Sequence, residues 1–130
     1  MIQTRVAVVS VDEHGIARVV ADHTDPLTLA DAQEVVDAVG KVAQLRGGGP
    51  GRSVPILIDA RRAGPITREA REFFVGDRPT TGTAALAFLV GSPVTRAIGS
   101  FFLKVQRPRV PSSLFTSEAH AMVWLRGFAK

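Results

Sequence analysis

The sequence predicts an α/β fold with a small, mixed and mostly parallel sheet, and three observations predict it. Two β-branched runs, residues 5–11 and 16–22, surround Asp12-Glu13-His14-Gly15, which is a hairpin signal. Apolar runs of strand length then recur at 55–60, 84–90 and 114–115. Each of these is followed by a capping residue and apolar positions at helical spacing, the pattern of βα units beside a parallel sheet. The expected order is ββαβαβαβα: an N-terminal hairpin, then βα units, with helices flanking the sheet.

Each element has its own signal. Gly15 can take the positive φ that the hairpin turn needs, and Asp25-Pro26 ends the second strand because proline cannot donate to a ladder. Thr28 is a suitable N-cap, with Asp31 at the positive end of the helix that follows. Leu29, Ala32, Val35, Val36, Val39, Val42 and Ala43 then follow helical spacing to about Leu45. The glycine-rich stretch 47–51 lacks the Gly-Lys-Ser/Thr ending of a phosphate loop and precedes a strand, so it reads as a connector. Ile56-Leu57-Ile58 forms a short buried strand ending in Asp59. Thr67 caps a second helix that turns Phe73 and Phe74 inward. Residues 84–90 are apolar throughout, as in a strand covered on both faces. Ser92-Pro93 starts a third helix with Val94, Ile98, Phe101, Phe102 and Val105 on its apolar face. Ser117 caps a closing helix that buries Ala121, Trp124 and Leu125.

A chain of 130 residues corresponds to one domain, residues 1–130, and 45% apolar residues supply an ordinary core. The absence of cysteine excludes thiol catalysis, cysteine-based zinc sites and disulfides. The start of the chain has no secretory pattern, and no apolar run approaches the roughly 20 residues of a membrane span. A cytoplasmic protein without a transmembrane segment is the expectation. The basic residues are 13 Arg against 3 Lys, the bias of a GC-rich bacterial genome. Net charge is +4, unevenly distributed: residues 1–60 carry 5 basic and 8 acidic side chains, and residues 61–109 carry 9 and 3. A basic middle segment favours anionic partners unless the acidic first half neutralises it in the fold.

The strand order, with Ile56-Leu57-Ile58-Asp59 before a turn and helix, resembles the STAS domains of bacterial anti-sigma-factor antagonists. Residues 114–118, with Ala121 and Trp124-Leu125, are similar to small bacterial STAS-like proteins of unassigned function. The resemblance implies a regulatory, non-enzymatic module that binds another protein. Partner-switching members of that family carry an Asp-Ser pair at the start of the helix after this strand, and the serine is phosphorylated by a kinase. Here the pair falls on Thr67 and Arg68, so Thr67 is the nearest hydroxyl that a kinase could modify.

The alternative reading is a site for a small anionic ligand, phosphate- or acyl-bearing, at the C-terminal edge of the parallel strands. Asp59, Arg61, Arg62, Thr67, Arg68, Ser92, Arg96 and Thr116 are its candidates. A third feature is Phe101-Phe102-Leu103, three large apolar residues that cannot all face inward on one helix. With Lys104 and Arg107 beside them, Phe101 and Phe102 are candidates for a partner surface, for another protein, for a second copy in a homodimer or for an anionic lipid surface. His14, His23 and His120 have no metal-ligand spacing and read as surface residues. No nucleophile elbow, cofactor motif or nucleic-acid-binding motif is present, so no catalytic residue, metal, cofactor or nucleic-acid partner is expected.

Overall fold

The structure is a computed structural model that describes residues 1–45, 54–74, 82–93, 96–97 and 110–128. The first strand precedes the expected hairpin. β1 (Ile2–Gln3) pairs antiparallel with β2 (Ala7–Val11), which pairs antiparallel with β3 (Ala17–Asp22). The expected hairpin is therefore the end of a three-strand meander. Its turn is built by Asp12, whose carboxylate accepts the His14 and Ile16 N–H groups, while Gly15 takes φ 80°.

From β3 the chain runs α1 (Leu29–Leu45), β4 (Val54–Arg62), α2 (Arg68–Phe74), β5 (Thr83–Leu89), β6 (Ser112–Phe115) and α3 (Glu118–Arg126). The sheet order is β1-β2-β3-β4-β5-β6, and the pairs from β3 to β6 are parallel. This is the predicted mixed, mostly parallel α/β sheet. The helix expected from Ser92 onward falls largely outside the described residues. Within its first turn, the Arg96 N–H donates to the Ser92 carbonyl at 2.9 Å.

Strand alternation divides the core between two faces. One face carries Val9, Val19, Ile56, Leu86 and Phe88 against Ala32, Val35, Ala38 and Val42 of α1 and Ala70 of α2. The other carries Leu57, Ala85, Ala87 and Leu89 against Ala121 and Leu125 of α3. β5 is buried on both faces, which accounts for its uninterrupted apolar sequence.

Both caps on the first face match the sequence reading. Thr28 Oγ1 accepts the Asp31 N–H, and Thr67 Oγ1 accepts the Ala70 N–H. Ser117 accepts the His120 N–H at the start of α3. Three expectations are corrected. Leu29 is 38% exposed, and Ala38 takes a core place instead. Trp124 is only partly buried, between Phe115 and Phe128 at ring-centroid distances of 5.6 Å and 4.9 Å. His23 is buried, with its ring between the Asp25 carbonyl and the Gly64 N–H.

Candidate functional site

β4 continues three residues beyond Asp59, so Asp59 is not the strand-end residue that the sequence suggested. Its side chain lies on the α3 face in register with Leu89 of β5, and it is buried. Arg61 is two residues on and shares that face. Its Nε and Nη2 donate to the two Asp59 carboxylate oxygens at 2.9 Å and 2.7 Å, and its backbone N–H donates at 3.2 Å. Burial alone would raise the Asp59 carboxyl. The Arg61 hydrogen bonds, with the charges of Arg61 and Arg18, hold it below the ordinary carboxylate range instead.

Glu118, the first residue of α3, completes this cluster. It pairs with Arg18 of β3 and lies 3.5 Å from the Arg61 guanidinium. Two arginines and two carboxylates thus form one chain, Arg18–Glu118–Arg61–Asp59, where α3 meets the sheet. Arg18 and Glu118 are 100 positions apart, and no local pattern pairs them. Only the alternation that places Arg18 on the same face as Leu57 points in that direction.

The remaining candidates go elsewhere. Arg62 points to the opposite face from Arg61 and lies 3.5 Å from Asp22 on the neighbouring strand. Thr67 and Arg68 begin α2, on the α1 face. Arg68 is exposed and pairs with Glu72, and Arg71 Nη1 donates to the Ile66 carbonyl at 2.8 Å. Ser92, Arg96 and Thr116 are exposed beyond the ends of β5 and β6. The eight candidates therefore occupy both faces and the rim of the sheet. Phe101, Phe102, Lys104 and Arg107 lie outside the described residues. Among the described residues, no group of three or more acidic or histidine side chains could hold a metal.

A strap of backbone bonds ties the entry of α2 to the loop before α1. The His23 N–H donates to the Arg62 carbonyl at 3.4 Å, the Leu27 N–H to Pro65 at 2.9 Å, and the Thr67 N–H to Leu27 at 3.0 Å. Leu27 and Ile66 form an isolated parallel bridge. Sequence reasoning found Thr67 here but missed His23 and Gly64, whose roles depend on long-range contacts.

This arrangement, a short antiparallel meander leading into parallel βα units with helices on both faces, defines a STAS-like α/β domain. A solved structure agrees. The crystal structure of an uncharacterized protein from the DUF3478 family with a SpoIIAA-like fold, from Shewanella loihica PV-4, superimposes with a TM-score of 0.65. That match covers 96% of this chain and 99% of the other at 12% identity, and it shows the fold alone. The chain belongs to DUF7793, a domain of unknown function whose family model matches residues 10–129. No curated protein matches it. Among the described residues, no helix is long and apolar enough to cross a membrane.

Proposed function

We propose that this protein is a non-enzymatic regulatory module that binds another protein through the surface at the start of α2, with Thr67 as the residue whose modification changes that binding. The observation that carries the reading is the place of Thr67. It is partly exposed, it caps α2 directly after β4, and the exposed Arg68, Glu69 and Glu72 stand beside it. In the STAS-like antagonists that the sequence resembles, the switched residue starts the equivalent helix. A phosphate on Thr67 would add up to about two negative charges beside Arg68 and Arg71 and would compete with Glu72 and the Ile66 carbonyl for these two guanidinium groups. The anionic-ligand reading has less support, because Arg61 and Arg62 already have carboxylate partners.

The test is comparative affinity capture from a native extract with the wild type, the charge reversal Arg68→Glu and the distant surface variant Val123→Ser. Val123 is 66% exposed on α3. The reading expects a protein captured by the wild type and by Val123→Ser but lost with Arg68→Glu. Equal capture by all three would remove the α2 surface from the account.

A further inference from the structure

We propose that His23 is a proton-sensitive clasp that holds the segment leading into α2 against the loop after β3. This deepens the interaction reading, and only its consequence for a partner rests on that reading.

The ring of His23 is buried, and the structure fixes its chemistry. Nδ1 lies 2.8 Å from the Asp25 carbonyl oxygen, which can only accept, so Nδ1 carries the hydrogen. Nε2 lies 3.3 Å from the Gly64 backbone nitrogen, which can only donate, so Nε2 is the acceptor. Both contacts hold together only in the neutral imidazole with hydrogen on Nδ1. A proton added at Nε2 would set N–H against N–H and remove the Gly64 rung.

That rung has little slack. A Cβ on residue 64 would lie 2.5 Å from the His23 carbonyl oxygen and 3.2 Å from Nδ1, so the two backbones already touch. The next rungs of the strap lead from Pro65 and Leu27 to the Thr67 N–H. Losing the Gly64 contact therefore loosens the path toward the proposed surface. The charged groups on the surrounding segments are Asp22 and Asp25 beside the histidine, Arg5 and Asp31 across the loop, and Arg62, Arg68 and Arg71 on the α2 side. They are engaged with one another or with neighbours: Asp22 with Arg62, Asp25 and Asp31 with Arg5, Arg68 with Glu72, and Arg71 with the Ile66 carbonyl.

The experiment is NMR on the isolated protein, combining histidine ring-nitrogen spectra with amide exchange, from about pH 8 to about pH 5. At the upper limit the His23 ring should show hydrogen on Nδ1. As His23 protonates, protection of the Leu27, Gly64 and Thr67 amides, corrected for intrinsic exchange, should fall about tenfold. In His23→Gln that pH dependence should vanish. A ring with hydrogen on Nε2, a ring still neutral at the lower limit, or protection unchanged as His23 protonates would each overturn the clasp. The ring spectra of the wild type decide the matter even if the variant does not fold. A working clasp combined with pH-independent partner binding would leave the clasp standing and count against the α2 surface.

Discussion

Arg5, in the loop before β2, grips both oxygens of Asp31 in the first turn of α1: Nε donates to one at 3.1 Å and Nη2 to the other. The same carboxylate accepts the Thr28 N–H at 2.9 Å and the Thr28 hydroxyl at 3.0 Å. Since Thr28 Oγ1 in turn accepts the Asp31 N–H, this is a reciprocal capping box anchored to the N-terminal meander. Asp31→Ala removes the box and strands Arg5. It should lower stability by about 2–3 kcal/mol, against about 1 kcal/mol for Thr28→Ala, as read from denaturant midpoints. Equal losses would mean that the Arg5 contact contributes nothing.

Acid should weaken the fold through the same carboxylate. The Arg5 hydrogen bond holds Asp31 well below the usual carboxylate range, with burial opposing it and the Thr28 bonds adding to it. A depressed folded value means that the contribution is complete above the unfolded value of roughly 4 and is lost as pH falls through the folded value. Asp59 acts in the same direction. Denaturant midpoints should therefore decline below about pH 4, less steeply in Asp31→Asn than in the wild type. Identical slopes would contradict this account.

Gly64 cannot accept a side chain without displacing backbone, because the nearest atom is the His23 carbonyl oxygen. Gly64→Ala should cost roughly 2 kcal/mol or more. Gly40→Ala, with nothing within 4 Å and a helical backbone, should be neutral or stabilising by about 1 kcal/mol. Paired melting temperatures check the contrast.

Asp59 and Arg61 should show a favourable coupling. Arg61→Ala leaves a buried carboxylate without its main partner, whereas Asp59→Asn with Arg61→Ala removes the charge as well. A double-mutant cycle should give a coupling of about 1–2 kcal/mol, limited by the half-exposed guanidinium. A coupling near zero would make the pair incidental to the fold.

The sheet and the caps were legible because they depend on local signals. β-branched alternation, an apolar run for the doubly covered β5, and Thr28, Thr67 and Ser117 at helix starts all act within a few residues. β1 escaped because two residues carry no periodicity. The end of β4 was misplaced because Asp59 looks like a strand terminator in sequence, while its backbone pairs with β3 and β5 and the ladder with β3 continues to Arg62. The candidate anion site drew on residues close in sequence, yet strand alternation sends Arg61 and Arg62 to opposite faces. Arg18–Glu118 and His23–Gly64 join residues far apart in the chain, so no local window contains them.

The most direct test of the central claim is the dissociation constant of the captured protein for the wild type, Thr67→Ala and Thr67→Glu, with circular dichroism confirming that each variant is folded. The cap contributes only about 1 kcal/mol, so both variants should fold. The account predicts near wild-type affinity for Thr67→Ala and a loss of tenfold or more, about 1.4 kcal/mol, for Thr67→Glu. Equal affinity of all three proteins would contradict a binding surface at the start of α2.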